Sequence, residues 1–405
     1  MRRVVITGMG IYSCLGTNLD TVRDALYNGV SGITTDPSRR DQGFRSILTA
    51  HVPEPDLKSV LDRHQRAFLP EEGKYAYCAT ADALRQAGID EDYLLKNDVG
   101  ILYGNDSSAE AVIRSTDRCR MMHDTTMCGA GAIFQSMNST ITMNLGSLFK
   151  LRGINMTISA ACASGSHAIG LGSVLIREGM QDVIICGGAQ ETNIMAVAAF
   201  DGISAFSMRE DDPTKASRPF DKNRDGLVPS GGAATVILEE YEHAVKRGAT
   251  IIAEVIGYGF SGNGNHIANP NFEGPVQSLE MAIRQAGISR SEIDYVNAHA
   301  TSTPVGDASE AKALYKVFGE KTVPITSTKS QTGHEMWMAG ASETIYAILM
   351  MQNGFIAPNL NFETPDEDSQ HLWIPNQRLD KPFDTFLNNS FGFGGTNSSL
   401  IIRAI

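Results

Sequence analysis

Three residues, far apart in the chain, have the side-chain types that acyl transfer needs. Cys162 lies in a segment of small residues, and His299 and His334 each follow a strand-like run in loops rich in glycine or threonine. A cysteine thiolate is an effective nucleophile, and histidines can supply hydrogen bonds and proton transfer. Taken singly, each histidine is more typical of a hydrogen-bonded structural residue. Their combination with Cys162 predicts an acyl-transfer site.

The setting of Cys162 favours a nucleophile. It stands between a strand-like run and a helix whose apolar face is marked by Leu171, Val174 and Leu175. The free N–H groups and positive dipole end of a helix N-terminus favour a thiolate. The small neighbours leave room for a substrate carbonyl and let backbone amides form an oxyanion hole. The other cysteines, at 14, 78, 119, 128 and 186, show no zinc or disulfide spacing and are expected to be reduced and inert.

Short β-branched runs that end in glycine alternate with stretches of helical character. This alternation predicts parallel sheets covered by helices, and therefore an α/β fold. The clearest runs are at 4–10, 99–104, 183–188 and 251–257.

A weak internal repeat relates segments 158–162 and 325–329. Each is a short strand-like run that leads into a turn of small residues and then an amphipathic helix, ending at Gly179 and Gly354 respectively. Duplication would divide the chain into halves at 1–250 and 251–405. The alternative is the simple recurrence of strand-turn-helix units that any α/β protein contains.

Composition excludes several classes of function. The 405 residues include 34 basic and 46 acidic side chains, a net charge of −12, which argues against general nucleic-acid binding. No apolar stretch reaches the roughly 18 residues that span a bilayer, and the first residues lack a signal-peptide core. We expect a soluble cytoplasmic protein without membrane contact.

No metal is expected, because Met338 stands where a zinc motif beginning at His334 needs its second histidine.

Four motifs together resemble the β-ketoacyl-[acyl-carrier-protein] synthases, with the closest likeness to the elongating types I and II. The initiating synthase has asparagine in place of the second histidine, whereas His334 is present here. Thiolases carry a second catalytic cysteine near the C-terminus, but the last cysteine of this chain is Cys186. The motifs are the surroundings of Cys162 and the segments 299–307, 327–334 and 389–397.

The resemblance implies a thiolase fold, in which two similar α/β halves form a five-layered αβαβα sandwich, usually as a homodimer. It also implies a decarboxylating Claisen condensation between an acyl group on Cys162 and malonyl-acyl-carrier-protein. No cofactor is expected on the enzyme, since phosphopantetheine arrives on the acyl carrier protein.

The resemblance also assigns roles around the nucleophile. The backbone amides of Cys162 and Phe393 would form the oxyanion hole, and His299 and His334 would stabilise the enolate. In the family, the lysine matching Lys329 pairs with the glutamate matching Glu310. A further position of the buried polar network matches Glu343.

Other matched positions concern the substrate. Thr301 and Thr303 match the threonines that hydrogen-bond phosphopantetheine, and Phe393 matches the gating phenylalanine, with Phe391 on the same loop. Ser107 falls at the acyl-pocket gate, where its small size favours type I. Trp337 departs from the small residues usual after the histidine, and its effect on the pocket is left open.

Two alternatives remain at this point. One is a ketosynthase of a type II polyketide or polyene pathway that uses the same residues. The other, from a different class, is a supporting subunit of a heterodimeric synthase.

Acyl carrier proteins are acidic, so docking to this acidic chain requires a local basic patch. The candidates are Arg63, Arg66, Arg118 and Arg120.

Overall fold

Strands and helices alternate along residues 2–267 and 271–405, which a computed structural model of the chain describes. The strands are β1 (Val4–Ser13), β2 (Ile33–Thr35), β3 (Leu48–Ala50), β4 (Gly100–Gly104), β5 (Asn155–Ile158), β6 (Val183–Gln190), β7 (Gly232–Glu240), β8 (Ala253–Gly262), β9 (Tyr295–Asn297), β10 (Ile325–Thr326), β11 (Thr385–Gly392) and β12 (Thr396–Arg403). The helices are α1 (Leu19–Tyr27), α2 (Ser38–Asp41), α3 (Arg63–Ala67), α4 (Glu71–Gln86), α5 (Glu91–Lys96), α6 (Ala109–Met122), α7 (Ala132–Gln135), α8 (Thr140–Leu148), α9 (Ser164–Arg177), α10 (Ile194–Gly202), α11 (Tyr241–Lys246), α12 (Glu273–Ala286), α13 (Pro304–Phe318), α14 (Lys329–Thr332) and α15 (Ala339–Asn353).

Ten of these strands join in the order β10-β9-β11-β12-β8-β1-β7-β6-β4-β5, while β2 and β3 form a separate ribbon. The central pair, β1 and β8, is joined through only two residue pairs, Val5 with Glu254 and Ile6 with Ala253. The array therefore consists of two five-stranded halves that meet at a narrow junction.

The two halves have the same strand topology. From β1 outward through β7, β6, β4 and β5, the successive pairings are antiparallel, antiparallel, parallel and parallel. From β8 outward through β12, β11, β9 and β10, the pairings follow the same sequence. This match favours duplication over simple recurrence, whereas the boundary at residue 250 stays a prediction.

Helices cover both faces of each half-sheet. Helices α9 and α15 pack against each other between the halves, and residues 339–351 of α15 are all buried, as a helix in a central layer must be. Helix α4 packs on β1 and β7, and α12 packs on β8 and β12, each on the opposite face of its half-sheet. The result is the predicted five-layered αβαβα sandwich.

Within the described residues, no helix combines the length and the apolar character that crossing a membrane requires.

A glycine in the first strand of each half allows a helix to approach closely. A Cβ atom on Gly10 of β1 would lie 1.9 Å from the carbonyl oxygen of Ala79 in α4. A Cβ atom on Gly259 of β8 would lie 1.9 Å from the carbonyl oxygen of Ser278 in α12. The same contact thus occurs at the corresponding strand–helix pair of both halves.

Replacing Gly259 should destabilise the fold. Gly259→Ala forces α12 away from β8, and overpacking of this kind costs about 1–3 kcal/mol. Gly262→Ala is the matched control on the same strand, because a Cβ atom there meets nothing within 4 Å. The measurement is the free energy of unfolding in urea. Equal stability of the two variants would show that the close approach is unimportant.

Candidate active site

The structure brings Cys162, His299 and His334 together from both halves. Cys162 lies in a 3₁₀ turn (161–163) between β5 and α9, His299 follows β9, and His334 follows α14. The His334 Nε2 atom is 3.1 Å from the Cys162 Sγ atom. The two imidazole rings lie edge to face, with their centroids 5.4 Å apart. A buried nucleophile thus faces two histidines.

The turn that presents Cys162 is strained and firmly held. Ala161 has a φ of +46°, in the left-handed region that non-glycine residues rarely adopt. Its amide donates to Asp106 at 3.0 Å, and the Ser159 hydroxyl donates to the same carboxylate. The Ser164 hydroxyl accepts from the Ala160 amide at 2.9 Å and donates to the Ala161 carbonyl at 2.6 Å. These bonds fix the direction of the thiol.

Burial dominates the ionisation of the nucleophile. It raises the pKa of the Cys162 thiol to about 12, although Lys329 and the backbone amides of Phe393 and Cys162 act in the opposite direction. The backbone amides thus lower the thiol pKa, as the position at a helix N-terminus predicts, but burial outweighs them in the resting site. The N-terminus of α9 is beside the sulfur as expected, but removal of the thiol from water has the larger effect.

The hydrogen bonds of His334 indicate which of its ring nitrogens carries the proton. The Met336 amide approaches Nδ1 at 3.3 Å and donates to it, so Nδ1 is an acceptor. The proton of the neutral ring is then on Nε2, which faces Cys162. The main chain of His334 is also fixed, since its amide donates to the Val228 carbonyl at 2.7 Å and its carbonyl accepts from the Ser230 amide at 3.0 Å.

Both histidines are neutral. Burial, together with the nearby positive charge of Lys329, holds the pKa of His299 and of His334 well below its usual value. The three donor atoms of Cys162 and the histidines lie within 4.8 Å of one another, close enough to share a soft cation. The adjacent ammonium group of Lys329 would repel such a cation, and the absence of a metal stays a prediction.

The partner of Lys329 is Glu343, and the predicted pairing of Lys329 with Glu310 is wrong. Lys329 donates to Glu343, and both side chains are only 1% exposed. The Glu310 carboxylate instead accepts from the amides of His299 and Ala300, at 2.9 and 2.6 Å. Glu310 therefore positions the His299 loop, while α15 supplies the counter-ion. Burial raises the pKa of Glu343 to about 7, although Lys329 opposes this.

A cavity of 380 Å³ reaches the three reacting residues. Thr301 and Thr303 line it, and their hydroxyl oxygens are 3.0 Å apart. Phe391 also lines it, as does Phe393, which is 49% exposed in the turn after β11. These four residues thus lie where a substrate arm could reach Cys162.

Ser107 and the predicted docking arginines lie outside that cavity. The Ser107 hydroxyl is 3.4 Å from the indole nitrogen of Trp337. Arg118 of α6 and Ala67, the last residue of α3, line a second groove of 720 Å³. Arg120 is exposed on α6 beside an aspartate, while Arg63 is exposed and Arg66 half-buried on α3. The two arginine-bearing helices therefore flank a common groove.

Two acidic residues at the site, the half-buried Asp106 and the buried Glu335, were not predicted from the sequence. Asp106 holds the nucleophile turn, and its position directly after β4 was the available signal, since side chains at the carboxyl ends of parallel strands converge. Glu335 accepts from the hydroxyls of Ser342 and Tyr346, at 2.5 and 2.8 Å. Its signal was a carboxylate in an otherwise apolar run after His334.

Comparison with known proteins identifies the family. The family profile described as "Beta-ketoacyl synthase, N-terminal domain" matches residues 1–244, and "Beta-ketoacyl synthase, C-terminal domain" matches residues 252–363. The chain belongs to the β-ketoacyl synthase family. The synthase is 38% identical over 408 residues to "3-oxoacyl-[acyl-carrier-protein] synthase 1" of Escherichia coli (strain K12), covering 100% of both chains.

Solved structures agree with this assignment. A β-ketoacyl synthase from Burkholderia phymatum superposes on the synthase with a TM-score of 0.96, at 36% identity and over 100% of both chains. A type II polyketide ketosynthase bound to the hexaketide, in complex with its acyl-carrier protein, has a TM-score of 0.90 at 28% identity, covering 100% of this chain and 99% of that one.

The Lys329 pairing can be tested by double-mutant cycles. Lys329→Met and Glu343→Gln should show a coupling of about 2–3 kcal/mol in the free energy of unfolding, because either change alone leaves a buried group without its partner. Lys329→Met with Glu310→Gln is the matched control, with an expected coupling below about 1 kcal/mol. The measurement is urea unfolding of each single and double variant. A larger coupling with Glu310 would contradict the assigned pair.

Proposed function

We propose that the synthase condenses an acyl group held on Cys162 with malonyl-acyl-carrier-protein in fatty acid chain elongation. The products are 3-oxoacyl-acyl-carrier-protein, carbon dioxide and free carrier protein. The observation that carries this proposal is the burial of one cysteine against two neutral histidines at the end of a substrate-sized cavity. The name of the Escherichia coli relative supports the carrier-bound substrates.

The first half-reaction transfers the acyl group. The Cys162 sulfur attacks the thioester carbonyl of the acyl carrier protein, and its proton leaves with the departing phosphopantetheine sulfur. The amides of Cys162 and Phe393, which lower the pKa of the thiol in the resting site, would donate to the carbonyl oxygen of an attached acyl group. They would stabilise the oxyanion of the tetrahedral intermediate.

The second half-reaction forms the carbon–carbon bond. Thr301 and Thr303 bind the phosphopantetheine arm of the malonyl carrier, while the N–H groups of His299 and His334 donate to the thioester oxygen. Carbon dioxide leaves, and its bonding electrons form an enolate that these donors stabilise. The enolate carbon attacks the acyl carbonyl, and the Cys162 sulfur departs and takes a proton from solvent.

Lys329 is a positioning residue in this scheme. Burial is the main cause of the low pKa of both histidines; the charge of Lys329 lowers it further and also lowers the pKa of the Cys162 thiol. Glu343 balances that charge inside the protein. Phe393 and Phe391 would gate the cavity, since glycines on either side of Phe393 permit loop movement.

The partners in this proposal are the acyl carrier protein and a second copy of the chain. Strand β5 lies at the end of the ten-strand array and offers an edge to which a partner strand can pair. Met156 of this strand is 53% exposed, as expected for a surface that a homodimer covers. The arginines of α3 and α6 would dock the acidic carrier.

Two sequence-based alternatives are less favoured. A supporting subunit has no need for a buried cysteine in contact with a histidine. A polyketide ketosynthase would use the same groups, but the Escherichia coli 3-oxoacyl-[acyl-carrier-protein] synthase 1 is 38% identical to this chain and the type II polyketide ketosynthase only 28%.

Acylation of Cys162 is the first test. The intact mass of the wild-type protein should increase by one acyl group after mixing with acyl-acyl-carrier-protein, and Cys162→Ala should show no increase. Cys119→Ala, at a half-buried cysteine of α6, is the matched control and should be acylated normally. His299→Ala and His334→Ala should also retain acylation, because neither ring bonds covalently to the acyl group. A wild type that no acyl chain labels would refute the proposed function.

Carrier docking is tested by charge reversal. Arg118→Glu should raise the KM for acyl-acyl-carrier-protein about tenfold while leaving the KM for a short acyl-pantetheine nearly unchanged, because only the carrier bears the acidic surface. Arg85→Glu is the control, because Arg85 lies about 20 Å along α4 from Glu71, the N-terminal residue of α4 that lines the groove. Equal effects of Arg118→Glu on both substrates would dismiss the docking patch, and Arg63, Arg66 and Arg120 can be examined in the same way.

A further inference from the structure

The acyl chain on Cys162 requires a space of its own. In the proposed function, on which this inference rests, the phosphopantetheine arm of the second substrate occupies the 380 Å³ cavity while the acyl group is still attached to Cys162. Two substrates cannot fill one space, so the acyl chain has to extend from the sulfur in another direction.

Cys162 also belongs to a compact apolar cluster, here called the acyl-side cluster. Its buried members pack with Cys162, and the partly buried Phe200 packs against them. The substrate cavity shares Phe200 and Leu227 with this cluster, but Trp337 is not among its described lining residues. Native side chains therefore fill the apolar space next to the nucleophile. The buried members are Phe44, Val197, Phe206, Leu227, Met336 and Trp337.

Trp337 is the largest side chain of the acyl-side cluster and is only 7% exposed. Its ring centroid is 6.4 Å from that of Phe200, and Phe200 stacks on Phe393 at 6.1 Å. On its other side, the indole N–H approaches the Ser107 hydroxyl at 3.4 Å. The indole thus occupies the space between the aromatic rings beside the cavity and Ser107.

The main chain of Trp337 has little freedom to retreat. Its carbonyl oxygen lies so close to two glycines that a Cβ atom on Gly188 would be 2.6 Å from it, and one on Gly165 would be 3.0 Å from it. Gly165 belongs to the first turn of α9, directly after the nucleophile turn. A long acyl chain can gain room here only by displacing the indole ring itself, which disrupts close packing.

We propose that Trp337 is a specificity-determining residue that restricts the acyl group on Cys162 to short chains. Ser107 is small and would leave room for an acyl chain at its position, but the indole of Trp337 fills the adjoining space. Removing the ring should convert this filled space into an acyl-binding cavity, since apolar cavities of this kind accept apolar ligands.

The test compares the kcat/KM for acylation of Cys162 by acetyl-, butyryl-, octanoyl- and palmitoyl-acyl-carrier-protein, followed by intact mass. In the wild type, butyryl transfer should exceed octanoyl transfer at least about tenfold, and Trp337→Gly should raise octanoyl transfer by about tenfold or more. The chain contains two tryptophans, so Trp373→Gly, at the half-exposed second one, is the matched control. It should leave the octanoyl-to-butyryl ratio unchanged.

In the acylation assay, either of two outcomes would overturn the proposal: an octanoyl-to-butyryl ratio in Trp337→Gly equal to that of the wild type, or a wild type that accepts palmitoyl as readily as butyryl. If no acyl carrier labels Cys162 at all, the proposed function fails first and this inference with it. Should Trp337→Gly not fold, Trp337→Phe in the same assay replaces it.

In Trp373→Phe, the emission of Trp337 should also shift when Cys162 is butyrylated, and a constant spectrum would contradict the placement of the acyl chain beside Trp337.

Discussion

Burial and the ammonium group of Lys329 together set the protonation states on which the site depends, and burial has the larger effect. Exclusion of water alone would raise the pKa of the Cys162 thiol and lower that of the histidines. Lys329 partly offsets the rise in the thiol pKa and lowers the pKa of the histidines further. The site therefore has neutral N–H donors beside a sulfur that is easier to ionise than burial alone would allow. The carboxylate of Glu343 is the counter-ion that offsets the cost of burying this charge.

The duplicated fold explains why these groups meet. The first half supplies the nucleophile after β5, and the second half supplies His299 after β9 and His334 after β10 and α14. Each half alone places a strand end beside a short helix, but neither encloses its residues. Helices α9 and α15 pack together between the half-sheets, and the sulfur, both imidazole rings and the Lys329–Glu343 pair are buried. Enclosure of the reacting groups therefore requires both halves.

The sequence predicted the features that residue type and local pattern determine. Strand-like runs ending in glycine predicted the α/β fold, and the types of Cys162, His299 and His334 predicted the chemistry. Features that depend on packing between distant segments were predicted incorrectly or missed. The thiol pKa depends on burial by the second half, and the partner of Lys329 depends on how α15 faces α14. Asp106 is 55 residues away along the chain from Ala161, in the turn that it holds. The pairing of β4 with β5 brings the two segments together.

In the proposed mechanism, two neutral histidines beside an acylated cysteine drive the loss of carbon dioxide. The most direct measurement is a single turnover in which the protein is first acylated on Cys162, then mixed with carboxyl-labelled malonyl-acyl-carrier-protein. The wild type should release one labelled carbon dioxide per 3-oxoacyl product, while His299→Ala and His334→Ala should keep their acyl group and release almost none. Release of label at the wild-type rate from either acylated variant would contradict this mechanism.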